Sequence, residues 1–396
     1  MSLFAALKSK STLGATLLVT SCCIGAGMIG LPVLSALAGF MPSSLAMLFC
    51  YCFTTITGLL LLEATLWFDR EVNLLSIAEF TLGKPGKLFA LLLFLFLFYC
   101  IFVAYLDGGG TLFAHVLSLI FQSPVPREVG ILLCAALVAT ITYAGTRVVV
   151  RLNRALLLSL IITYFALVGL GLTQVQAENL RRVDWYAALR TVPVLLICFG
   201  YQNLVPSLTH YLKKNVAALR FAIIVGNFLP FLIYFLWNFV ILGMLPASAE
   251  GYHAEMITEL LQHGTQYLSV IFVVNAFSLF AIFNSFLPSA LSFVDFLKDG
   301  LHPAIHTPGR AALRVYALVF IPPVLCALAY PHLFLKALSF AGGFIDVLLF
   351  GILPALVILV GRYVKKISGP YQVAGGSVTP LLVLVLALVI LFLKLY

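Results

Sequence analysis

The chain has 396 residues, of which 63% are hydrophobic and 9% are charged. Soluble domains carry about 25% charged residues, so this chain has too few polar residues to cover a water-facing surface, and its composition excludes a soluble protein. The net charge of +9 comes from short basic clusters between apolar segments. That pattern sets membrane topology and predicts a lipid bilayer, not a nucleic acid, as the partner.

Apolar segments long enough to cross about 30 Å of hydrocarbon follow one another nearly from end to end. They predict an all-α membrane protein with a single transmembrane domain over residues 1–396. The connections are short, the longest being 67–87, 245–265 and 297–311, and the weakly basic N-terminus predicts no cleaved signal peptide. The eleven predicted spans are 12–40, 43–66, 88–120, 129–146, 154–175, 187–209, 218–244, 266–296, 312–330, 334–361 and 377–395.

Basic residues predict the orientation of the spans. With the N-terminus in the cytoplasm, seventeen of the 23 Lys and Arg residues fall in cytoplasmic segments and six on the other side. The positive-inside rule therefore places the C-terminus outside. On the outer side, the segment with Glu250, Glu255 and Glu259 is either a surface loop or an amphipathic helix that acts as an outer gate.

Two predicted spans carry helix-breaking residues at their centres. The first holds Gly25, Ala26 and Gly27, and the sixth holds residues 199–203 followed by Pro206. A glycine costs about 1 kcal/mol and a proline about 3 kcal/mol inside a helix. Such breaks are retained where they line a cavity whose freed N–H groups bind a carboxylate and whose carbonyls bind an ammonium or a cation, although glycines also allow close helix packing. Breaks at corresponding positions predict two inverted repeats of five spans, about 12–175 and 187–361, and an extra helix over 377–395.

Acidic residues inside spans are candidate proton carriers, because a carboxylate within a membrane either faces an aqueous cavity or is protonated. Asp107 lies in the third span and Asp346 in the tenth, and Glu63 closes the second span near the cytoplasm. Asp107 has no basic partner in its own span. We therefore expect Asp107, or failing that Asp346, to carry a proton.

Other classes of chemistry find little support in the sequence. All eight cysteines sit inside apolar segments, where a free thiol behaves as a small hydrophobe, so neither a disulfide framework nor a metal site is predicted. No Walker sequence is present, and paired catalytic residues at active-site spacing are missing. We therefore expect no enzyme activity and no cofactor.

At the broken spans the sequence becomes recognisable. Residues 23–28, Cys-Ile-Gly-Ala-Gly-Met, with Pro32 resemble the first-span signature of the hydroxy and aromatic amino acid permeases, of the amino acid–polyamine–organocation superfamily. The stretch 192–243 looks like the sixth and seventh spans of the tyrosine permease branch, and the likeness runs through almost the whole chain. Asp107 and residues 201–203 depart from the family pattern, so the resemblance assigns no role to Asp107.

The resemblance implies a leucine-transporter-like fold with eleven spans and proton-driven uptake of tyrosine, or a related aromatic amino acid, across a bacterial cytoplasmic membrane. Amides at 25–27 are expected to hold the substrate carboxylate, and the first- and sixth-span carbonyls its ammonium. The candidate substrate-binding residues are Cys22, Cys23, Ile24, Gly25, Ala26, Gly27, Tyr105, Cys198, Phe199, Gly200, Tyr201, Gln202, Asn203, Asn284 and Ser285.

Three alternatives stay open. A sodium-coupled carrier needs first-span carbonyls together with hydroxyls of the eighth span, such as those of Ser285 and Ser292. A permease for tryptophan or another amino acid shares every feature above. A channel is the more distant alternative and predicts flux that does not saturate. The oligomeric state is not indicated by the sequence.

Overall fold

The computed structural model describes residues 10–70, 72–244, 268–301 and 310–395, and within them every regular element is helical. The helices are α1 Lys10–Cys23, α2 Gly27–Ala38, α3 Phe40–Leu66, α4 Leu74–Phe121, α5 Arg127–Tyr143, α6 Thr146–Leu172, α7 Trp185–Cys198, α8 Val205–Tyr211, α9 Val216–Met244, α10 Leu268–Leu301, α11 Arg310–Ala329, α12 Phe334–Val364 and α13 Val378–Leu395. The predicted outer gate, with its three glutamates, lies outside the described residues.

Length and composition decide which helices can cross a bilayer. Within the described ranges seven helices qualify when α7 and α8 are taken as one span, and α1 with α2 form an eighth that is bent by 58°. Shorter apolar stretches lie at Leu313–Ala329 and Val378–Leu393. The all-α membrane class is therefore confirmed, while the count of eleven spans and the inverted repeat stay predictions.

Two helices begin earlier than the hydropathy pattern predicts. The predicted connection 67–87 is helical from Leu74 onward, because Asn73 caps the helix by accepting a hydrogen bond from the Ser76 amide at 2.9 Å. Gly83, at φ +76°, then turns this segment into the third span. Likewise α6 begins at Thr146 rather than 154, directly after Gly145 at φ +101°. Both segments carry charged residues, Glu79, Lys84 and Lys87 in α4 and Arg147 and Arg151 in α6, and these lower the local hydropathy below that of a span.

The broken spans lie at the centre of the bundle. In its most apolar window the span Trp185–Tyr211 is 72% buried, whereas α6 is only 28% buried. Helix α1 packs along α9, α2 packs on α7, and α3 contacts both α7 and α8. The two breaks are therefore enclosed by other helices, while α6 forms part of the periphery.

Helix α12 supplies another wall of this centre and departs from α-helical geometry. Its segment Ala341–Ile352 is π-helical, a form that occurs mostly as short bulges at functional sites. Gly342 allows the close approach to α7, since a Cβ there would lie 1.8 Å from the Pro193 carbonyl oxygen. The π-helical segment carries Asp346 and packs against the sixth span.

Candidate substrate site

The two breaks meet each other directly. Gly27, the first residue of α2, faces Cys198, the last residue of α7, and a Cβ on Gly27 would lie 2.3 Å from the Cys198 sulfur. Across the same junction, the Cys22 thiol donates to the Gly200 carbonyl at 3.5 Å. Only glycine at position 27 permits this approach without a shift of the neighbouring side chain.

Tyr234 of α9 joins both breaks through its hydroxyl. The hydroxyl donates to the Cys23 carbonyl and lies 3.4 Å from the Cys198 carbonyl, and the side chain is fully buried. Its ring packs edge-on against Phe199, with centroids 5.5 Å apart. The Tyr234 hydroxyl thus hydrogen bonds to carbonyls that the helix breaks leave without a backbone partner, as a break inside a membrane requires.

Helix α10 satisfies the other side of the first break. Ser285 accepts a hydrogen bond from the Ala26 amide at 3.2 Å, and Asn284 donates to the Ile24 carbonyl at 3.3 Å. A Cβ on Gly25 would lie 1.8 Å from the Ser285 hydroxyl oxygen. The side-chain oxygen of Asn284 is buried and has no partner among the described residues, so one acceptor remains open beside the break.

Tyr105 of α4 completes this wall. Its side chain is 8% exposed and lies near Ser285, Cys22, Cys198 and Asp346. Its ring meets Phe286 edge-on. The structure thus brings together the predicted residues of the first, third and eighth spans and, from the sixth span, residues 198–200.

The side chains of the sixth-span break divide between two environments. Tyr201 is fully buried, donates to the Thr54 carbonyl at 3.1 Å, and packs on Gly58 of α3. Gln202 is also buried and donates to the Thr57 hydroxyl at 3.3 Å, while accepting from the Tyr201 amide. Asn203 is exposed. Tyr201 and Gln202 therefore hold the break against α3.

The three membrane acids differ in their partners. Asp107 accepts hydrogen bonds from the Arg127 guanidinium and, at 2.8 Å, from the Phe334 amide at the start of α12. Arg127 also donates to the Ala327 carbonyl at 2.6 Å. We call this group the outer clamp, because the predicted topology places it on the outer side. Asp107 has no basic partner within its own span, and α5 supplies one in Arg127.

Glu63 forms a second clamp at the other end of α12. Both carboxylate oxygens accept from Arg362, at 2.6 and 2.5 Å, and one also accepts from the Val373 amide at 2.7 Å. The two side chains are 2% and 5% exposed. This inner clamp joins α3 to α12 and to the segment that leads into α13.

Asp346 has neither kind of anchor. It is 7% exposed and forms no ion pair or hydrogen bond within the described part of the chain. One of its carboxylate oxygens lies 3.6 Å from the position of a Cβ on Gly200. The one unpaired membrane carboxylate of the three therefore borders the junction of the two breaks.

Sequence reasoning missed the contribution of α9. Besides Tyr234, its Trp237 donates to the Met28 carbonyl at 3.0 Å, and its Asn227 donates to hydroxyls of Thr54 and Thr55, both at 2.9 Å. These three side chains recur at helical spacing within a largely apolar span. That spacing was the available signal for a polar face directed toward the broken spans.

Two solved structures share this architecture. The inward-facing conformation of Mhp1 aligns with a TM-score of 0.61 at 12% identity, covering 97% of this chain and 90% of the other. MhsT in complex with L-phenylalanine aligns with a TM-score of 0.61 at 16% identity, covering 98% of each. The expected leucine-transporter-like fold is confirmed, and it defines the class to which the chain's architecture belongs.

Sequence comparison narrows this class to one family. The tryptophan/tyrosine permease family matches residues 8–394, and the chain belongs to it. Similar proteins include tyrosine-specific transport system 1 of Haemophilus influenzae, 30% identical with 96% of both chains covered, and a tryptophan-specific transport protein of Pseudomonas aeruginosa, 29% identical with 96% and 92% covered. Glutamine transporter 2 of Aliivibrio fischeri is 28% identical, with 83% and 84% covered. These relatives are transport proteins, not enzymes.

Proposed function

We infer that this chain is a secondary active transporter that carries tyrosine, or another aromatic amino acid, together with a proton. The observation that carries the proposal is the junction of the two breaks, where backbone groups of α2 and α7 meet beside an unpaired carboxylate. The names of the tyrosine- and tryptophan-specific relatives support an aromatic amino acid as the substrate.

The substrate's charged groups fit the backbone at this junction. The first N–H groups of a helix have no partner within it and favour an anion, so we assign the carboxylate to the start of α2 at Gly27. The ammonium is assigned to carbonyls near Cys23 and Cys198. Each carbonyl oxygen has two lone pairs, so Tyr234 leaves acceptor capacity there.

For the aromatic side chain we assign Tyr105 and Phe199, which flank the junction, and the open acceptor of Asn284. A site that hydrogen bonds a substrate hydroxyl rejects the analogue that lacks it far more strongly than an apolar pocket does. Tyr201 and Gln202 are assigned to holding the break, because their polar groups bond to α3.

The proton is assigned to Asp346. A proton carrier must exist in both protonation states during a cycle, and an unpaired carboxylate at a membrane site can do so. Asp107 and Glu63 each form an ion pair with an arginine, so we assign both to joining helices rather than to carrying the proton. The chain is assigned to the bacterial cytoplasmic membrane, with its N-terminus inside and its C-terminus outside.

The direct test is uptake of radiolabelled tyrosine into proteoliposomes with an alkaline interior and no sodium. We expect saturable accumulation that a protonophore abolishes. Competition with unlabelled tryptophan, phenylalanine and glutamine ranks the substrates. Accumulation that occurs only with a sodium gradient overturns the proposal of proton coupling. Flux that does not saturate favours a channel over a carrier.

The location of the site has a separate test. Gly27→Ala places a methyl group 2.3 Å from the Cys198 sulfur. Cys198→Ala removes that sulfur and leaves the Cβ of residue 198 at 3.4 Å from the methyl group. We expect Gly27→Ala to abolish uptake and the double variant to recover part of it. Gly169→Ala, where nothing lies within 4 Å of the added methyl, is the matched control. Normal uptake by Gly27→Ala argues against this site.

A further inference from the structure

Three arginines follow one another along the outward face of α6. Arg147, Arg151 and Arg154 are all exposed, and at 100° per residue they lie within an arc of about 60°. The buried Val149 and Leu160 lie on the opposite side of the helix. The arginine stripe, residues 147, 151 and 154, therefore points away from the bundle.

The same line of the helix continues as an apolar surface. Leu158, Ile162 and Phe165 follow at spacings of four, four and three residues and are 57%, 69% and 64% exposed. From Arg154 to Leu172 the helix rises about 27 Å, close to the thickness of the hydrocarbon core of about 30 Å. The apolar part thus lies at the depth of acyl chains, and the arginines lie at the depth of headgroups.

The positive charge of the stripe is not balanced by protein. Among the described residues, no carboxylate lies within ion-pair distance of the three arginines, and the first turn of α6 contains no acidic residue. Cations at a helix N-terminus oppose the helix dipole. A bound anion at this end offsets both unfavourable terms.

We propose that the arginine stripe binds the phosphate headgroup of an anionic phospholipid in the cytoplasmic leaflet, with an acyl chain lying on the apolar surface below it. The positive-inside rule requires only basic residues in a loop. It explains neither their helical register nor the use of arginine alone, whose planar guanidinium binds phosphate oxygens in pairs.

The bound lipid has a route to the transport site. Helix α6 packs along α10, and α10 carries Asn284 and Ser285 at the first break. A lipid that holds the exposed face of α6 therefore stabilises a helix that supports one wall of the site. We expect uptake to be faster in bilayers that contain anionic phospholipid.

Native mass spectrometry of the full chain in detergent tests the binding. Phosphatidylglycerol is titrated against phosphatidylcholine with the same acyl chains, and inorganic phosphate is a separate arm. We expect phosphatidylglycerol to bind preferentially, and Arg147→Gln, Arg151→Gln and Arg154→Gln together to weaken it about a hundredfold, since each basic residue near an anionic surface contributes about fivefold.

The control variant combines Lys84→Gln, Lys213→Gln and Lys366→Gln, which removes the same charge from exposed positions elsewhere. It is expected to bind phosphatidylglycerol like the wild type. Equal losses in both triple variants overturn the proposal in favour of diffuse attraction. Inorganic phosphate that displaces the lipid at equal concentration also overturns it, because the apolar surface then contributes nothing.

Discussion

The carboxylates at the two ends of α12 have ionic partners, whereas the carboxylate in its middle has none among the described residues. At the start, Asp107 binds the Phe334 amide while paired with Arg127, and near the end Glu63 binds Arg362. In the middle, Asp346 is buried in a π-helical segment without a cation among the described residues. We propose from this difference that the paired carboxylates hold helices together and that the unpaired one carries the proton.

The largest expected effect is on the inner clamp. Glu63→Gln leaves the Arg362 guanidinium buried without a countercharge, and breaking a buried pair costs about 3–5 kcal/mol of unfolding free energy. Thermal or chemical unfolding of the purified protein measures the loss. Glu79→Gln is the matched control, because its pair with Lys87 is 42% and 49% exposed and contributes at most about 1 kcal/mol. Equal effects of the two variants contradict an anchoring role for Glu63.

The outer clamp is expected to tolerate substitution better. After Asp107→Asn, Arg127 keeps the Ala327 carbonyl and is itself 19% exposed, and the asparagine oxygen still accepts from the Phe334 amide. We expect a loss of about 1.5–3 kcal/mol, the range for one hydrogen bond to a charged group. In proteoliposomes we expect this variant to retain pH-driven accumulation of tyrosine. Complete loss of that accumulation would assign the proton to Asp107 instead of Asp346.

A smaller effect is expected at the junction of the breaks. Tyr234→Phe removes the hydroxyl that donates to the Cys23 carbonyl and keeps the ring on Phe199. The loss of unfolding free energy is about 0.5–1.5 kcal/mol. Tyr164→Phe removes a hydroxyl bonded to the Ile233 carbonyl of α9 rather than to a carbonyl of either break, and serves as control. Uptake that falls in the first variant but not in the second supports the junction as the site.

Local sequence signals predicted the breaks, and distant partners could not be predicted. Gly25 and Gly27 identify the first break because glycine is unfavourable in a helix interior. The inner clamp joins Glu63 to Arg362, residues separated by 299 positions, and no periodicity reports such a pairing. The role of Tyr234 could not be predicted for the same reason, since its partners are backbone carbonyls of other spans. Hydropathy likewise missed the first turns of α4 and α6, because charged residues lie among them.

Asp346→Asn tests the assignment of the transported proton to Asp346. The substitution removes a buried carboxylate without an ionic partner, so the unfolding free energy is expected to stay the same or to rise. Tyrosine uptake driven by a pH gradient, inside alkaline, is compared in the same proteoliposomes with exchange of labelled for unlabelled tyrosine at equal pH. We expect Asp346→Asn to lose pH-driven accumulation and to keep exchange. Accumulation at the wild-type level would contradict it.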